Sequence, residues 1–159
     1  MGRSWEGDDC EEDGPPGYGR WMARVKAVLN GRPAQKHFQE LEEALLAMPV
    51  KRLIQGSLCQ RWETCAVGEM AVHKRVKAGM SRRDALTEVK RSKGTGKWQE
   101  EETAYNTAEF AERDLGMTNT LGWLIGEAND EKFYGLSPEE RWERMLAWTR
   151  SHIREAQPA

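Results

Sequence analysis

Three groups of residues carry side chains that could do chemistry, and the first is Cys65. It follows Thr64, whose hydroxyl suits a helix N-cap, so the thiol is expected in the first turn of a helix running to about Ala78. Aligned N–H groups at a helix start favour the thiolate, which would make Cys65 the nucleophile of a cysteine-dependent hydrolase. Such a nucleophile needs a base within reach. His37, His73 and His152 stand in no motif that ties them to Cys65. A small buried hydrophobe in a Cys65-Ala66-Val67-Gly68 packing turn accounts for the same residues, and it is the preferred reading.

The second group is acidic. Asp130 and Glu131, with Asn129 beside them, could hold a metal ion or polarise a water, yet Asn-Asp-Glu between two helices is ordinarily a helix end and a turn. No cofactor is expected. Cys59 and Cys65 are too few for a zinc site without histidines, and the odd count that Cys10 completes suits thiols in a reducing compartment.

The third group is basic. Between His73 and Lys97 the chain gathers Lys74, Arg75, Lys77, Arg82, Arg83, Lys90, Arg91, Lys93 and Lys97 against only Asp84 and Glu88. Cations of this density can meet phosphates, and Trp98, beside Lys97 with Gly94 and Gly96 nearby, could stack a base. The binding candidates are therefore Lys74, Arg75, Arg82, Arg83, Arg91, Lys97 and Trp98. Gly94-Thr95-Gly96-Lys97 is not a phosphate loop, because the wider glycine spacing and the hydroxyl after the lysine are missing. The simpler account is a solvated helix face balanced by Glu100, Glu101 and Glu102.

The elements that must position these groups are helical. The firmest is Ser137 to Ile153: Ser137 as N-cap, Pro138 at the first helical position and Glu140 closing a capping box. Trp142, Met145, Leu146, Thr149 and Ile153 recur on its inner face. Shorter apolar patterns predict helices from Trp21 to Leu29, from Pro33 to about Met48, from Ser81 through Val89, and from Glu100 to Leu115. Another starts at Thr118 or Asn119, with Leu121, Leu124, Ile125 and Ala128 as core. The first two read as a helical hairpin. Val50 to Glu63 fits either a short extended excursion or a broken helical turn. The expected architecture is all-α, a compact bundle of about six helices in one domain from residue 20 to 156. Ahead of it, residues 1 to 19 are acidic and rich in Gly and Pro, and they read as a disordered tail.

The whole-chain numbers narrow the function. A net charge of −2 over 159 residues argues against a dedicated nucleic-acid binder. No apolar run approaches a membrane span and the acidic start lacks a signal peptide's pattern, so a cytoplasmic protein without a membrane partner is expected. Seven tryptophans are many for this length; Trp142 and Trp123 read as core, and part of the remainder suits an interface, with another protein or in a homodimer.

Several short pieces have a further implication. They are Met48-Pro49-Val50-Lys51-Arg52-Leu53-Ile54, Glu63-Thr64-Cys65-Ala66-Val67-Gly68, Leu115-Gly116-Met117, Asn129-Asp130-Glu131, and Pro138-Glu139-Glu140-Arg141-Trp142 with Met145 and Trp148. In these, over about Pro33 to Ile153, the chain resembles a group of small, functionally uncharacterised proteins of tailed phages and proteobacterial prophages. It departs from that pattern in the long basic stretch from His73 to Lys97. The resemblance implies a phage-encoded accessory protein of the host cytoplasm that binds a host protein complex and inhibits a defence system (CRISPR, restriction or signalling) without catalysis. One alternative is sequestration of a nucleotide or nucleic acid by the basic and aromatic residues from 74 to 98. The other is the Cys65 hydrolase.

Overall fold

Ser137 donates its backbone N–H to Glu140 Oε2 (3.0 Å) and its hydroxyl accepts from the N–H of Glu140 (3.2 Å), so the capping box forms in full. It starts the last of seven α-helices found among the described residues of this computed structural model, which are 17–92, 104–132 and 135–154. In chain order the helices are α1 (Tyr18–Asn30), α2 (Arg32–Ala47), α3 (Ala66–Lys77), α4 (Arg82–Ser92), α5 (Ala104–Leu115), α6 (Asn119–Glu127) and α7 (Pro138–His152). A π-helical turn, Ala128–Lys132, prolongs α6. Two two-residue strands, β1 (Cys59–Gln60) and β2 (Glu63–Thr64), pair antiparallel with Cys59 opposite Thr64. The protein is all-α. The acidic stretch before Gly17, and residues 93–103 with Lys97 and Trp98 among them, lie outside the described residues.

One apolar interior gathers the helices. Phe38, Leu41, Ala44 and Leu45 of α2 meet Val67, Met70, Ala71 and Val72 of α3, Ala85, Leu86 and Val89 of α4, and Met145 and Leu146 of α7. Leu121 and Ile125 of α6 join Phe110 and Ala111 of α5 in the same cluster. α5 and α6 approach closely because α6 presents glycine there: a Cβ on Gly122 would lie 2.8 Å from the Cβ of Ala111 and 3.2 Å from the Cα of Ala108. α1 joins α2 through Gly31 alone and leans on α6, where Trp21 meets Trp123 edge-on at 5.4 Å.

Several starts and stops are where side-chain chemistry puts them. Ser81 Oγ accepts from the N–H of Asp84 (3.1 Å), Thr118 Oγ1 from that of Leu121 (3.2 Å), and Gly79 and Gly116 take positive φ past the ends of α3 and α5. Other expectations need correction. Thr64 is not the cap of α3: it ends β2, and Cys65 occupies the cap one residue later. Asn129-Asp130-Glu131 is not a helix end followed by a turn, because α6 runs straight on into the wider π turn. Val50 to Glu63 is the extended excursion rather than a broken helix. Val76 of α3 is exposed.

Candidate functional site

The π turn and the excursion are tied together by buried polar groups. Asn129, fully buried, accepts from the Ala66 N–H at 3.2 Å and donates to the Ile54 carbonyl at 2.9 Å. Arg141, also buried, reaches from α7 to donate to the carbonyl of Asn129 (3.0 Å) and to Gln55 Oε1 (3.1 Å). Burial lowers the pKa of its guanidinium, and the nearby Asp130 carboxylate acts in the opposite sense. Asp130 itself accepts from the Gly56 N–H (3.0 Å) and the Asn129 amide (2.8 Å). Its carboxylate is thus committed to holding a loop. The side chain of Glu131 lies outside the described residues, and no group of three or more His, Cys, Asp or Glu able to hold a metal occurs among those described.

Cys65 is equally built in. The residue is nearly out of solvent at 4% exposure, and its thiol accepts from the N–H of Gly68 at 3.4 Å. Gly68 is obligatory beside it, since a Cβ there would come within 2.0 Å of the Leu58 carbonyl oxygen. The Cys-Ala-x-Gly spacing therefore closes α3 tightly onto the loop before β1.

The basic block divides. Arg75 makes a two-pronged contact with Asp114 (2.6 and 2.8 Å) and a third bond to Glu88 (2.9 Å). Asp114, and then Glu88, raise the pKa of its guanidinium. Lys74 donates to the Asp114 carbonyl and Lys77 to Glu43 at 3.0 Å. Arg82 turns inward and grips the buried Glu69 with two bonds (2.7 and 3.0 Å), while the Thr64 hydroxyl donates to the same carboxylate at 2.7 Å. Lys74, Arg75 and Arg82, expected to contact a ligand, serve internal ion pairs and carbonyls instead. Arg83 and Arg91 stay on the exposed side of α4.

What that exposed side faces was not expected from the sequence. The β1–β2 turn consists of Arg61 and Trp62, with Arg61 at φ +57°, a left-handed conformation uncommon for a long side chain. The turn lifts Trp62 clear of the core, leaving it 57% exposed. Two cations from α4 sit over its indole: Lys90 Nζ at 5.1 Å from the ring centroid and Arg83 Cζ at 5.8 Å. They are seven residues apart, two helical turns, so they share one face of α4 while Ala85, Leu86 and Val89 fill the other. Glu63, the acid next to Trp62, is drawn away by Arg52 at 2.8 Å, which also reaches Glu139. A large aromatic ring, met by two cations of one helix and open to solvent, is the arrangement that sequence spacing missed. Trp62 lies in a segment without periodicity, and only its separation from any apolar stripe marked it. No family model, curated protein or solved structure matches this chain.

Proposed function

We propose that this protein works by contact: a phage-encoded accessory factor that binds a host protein complex in the cytoplasm and inhibits a defence system without catalysis. The observation that carries this is Trp62, a solvent-facing indole on a fixed hairpin tip flanked by Arg83 and Lys90. Tryptophan and arginine are the residues that most often anchor protein interfaces, and a short β-turn presents them at small entropic cost. The groups that would argue for chemistry have other work. Cys65 is buried as a helix cap, and Asp130 braces Gly56. The phage origin rests on the sequence resemblance alone.

The first test is Cys65→Ala in host cells under challenge. Inhibition equal to that of the unaltered protein is expected, together with capture of a defined complex from host lysate. Loss of inhibition by a folded Cys65→Ala protein would replace contact with thiol chemistry.

A further inference from the structure

We infer that the Trp62 face receives an acidic segment of the partner protein, one that carries carboxylates on either side of an apolar side chain. This deepens the contact reading above and rests on it. Arg83 and Lys90 over the indole bring positive charge to Trp62, with Arg61 beside it in the turn and Arg91 exposed further along α4, against the exposed carboxylate of Asp84. Glu63 is paired with Arg52, and Glu88 is bound to Arg75. The local field at this face is therefore positive, and it steers an acidic segment there. The indole supplies the apolar floor, and the guanidinium of Arg83 can form a two-pronged bond with a carboxylate without leaving the ring.

A nucleic acid fits the same face less well. A phosphate track needs cations in succession, and Lys77, Arg75 and Arg82 are held by Glu43, Asp114 and Glu69.

The experiment uses the full chain and three fluorescein-labelled probes at low ionic strength. They are a peptide alternating Glu and Asp with Leu, the same peptide with Gln and Asn in place of the acids, and single-stranded oligothymidylate. Anisotropy should show the acidic peptide bound and the neutral one not, with oligothymidylate weaker than the acidic peptide. Trp62→Ala should weaken the acidic peptide about tenfold or more. Arg83→Glu with Lys90→Glu should abolish it, at an unchanged thermal midpoint. Equal binding of the two peptides, undiminished binding by Trp62→Ala, or tighter binding of oligothymidylate would each overturn the inference. So would capture of the same host complex by the Arg83→Glu, Lys90→Glu protein at the unaltered protein's level, an outcome that leaves the contact reading standing. Loss of inhibition by a folded Cys65→Ala protein removes the contact reading whatever the peptides do.

Discussion

Arg82 and Arg83 are neighbours in sequence and opposites in consequence. Arg82 neutralises Glu69, whose side chain is 1% exposed, so replacing it strands a buried carboxylate. Arg82→Met should cost about 3–5 kcal/mol of stability. Arg83 rides over an exposed ring, and Arg83→Ala should shift stability by about 0.5 kcal/mol while weakening partner binding. Chemical denaturation of the two variants checks both. Sequence could not separate them, because what divides them is a partner distant in the chain: Arg82 finds Glu69 at 13 residues' distance, as Arg75 finds Asp114 at 39 and Lys77 finds Glu43 at 34. The acid response follows from the last pair. The hydrogen bond from Lys77, with His73 Nε2 at 3.3 Å as a lesser contribution, holds the Glu43 carboxyl below its ordinary pKa. A carboxyl depressed in the folded state stabilises above its unfolded pKa and loses that contribution as pH falls through the folded value. Lys77→Ala should therefore lose less thermal stability than the unaltered protein on acidification below the carboxylate range. The difference will be small, because the pair lies in solvent.

At the scale of elements, glycine decides two contacts in a direction opposite to helix propensity. In an open helix Gly→Ala gains up to about 1 kcal/mol. Here Gly68→Ala drives a methyl into the Leu58 carbonyl, where backbone must move, and should destabilise by about 3 kcal/mol or more. Gly122→Ala meets Ala111 and the backbone of Ala108, and should also destabilise, by less, since α5 and α6 can spread by a few tenths of an ångström. Thermal melts of the pair give the order. Helices were the legible part of this chain: the Ser137–Glu140 box, the Ser81 and Thr118 caps and the Gly79 and Gly116 stops each have a local cause in side-chain chemistry. The hairpin was not legible. Strands of two residues are too short to show a period, and the turn residue Arg61 takes a conformation that glycine or asparagine would ordinarily announce. That missing signal shifted the α3 cap from Cys65 to Thr64 and hid Trp62, so of the candidate site only Arg83 was legible as a binding residue. The π turn was hidden for a related reason. Asn129-Asp130-Glu131 suits a helix end, and only the demand of Ile54, Ala66 and Arg141 for a buried amide and carbonyl keeps the helix going.

An apolar interior shared by α2 to α7 carries the outward Trp62 tip, and no helix among the described residues is long and apolar enough to cross a membrane. Such a body gives the Trp62 hairpin a rigid base, with β1 and β2 anchored by the buried Cys59 and Thr64. Contact and catalysis differ in how much protein they consume. A binder must be present in proportion to its target, whereas an enzyme disables many targets per molecule. The decisive measurement is a titration of the captured host complex's activity with purified protein, repeated after increasing times of incubation. Contact predicts an end point at a fixed ratio to the complex, independent of time and displaced to much higher concentration by Trp62→Ala. Inhibition far below that ratio, deepening with time and indifferent to Trp62, would contradict it.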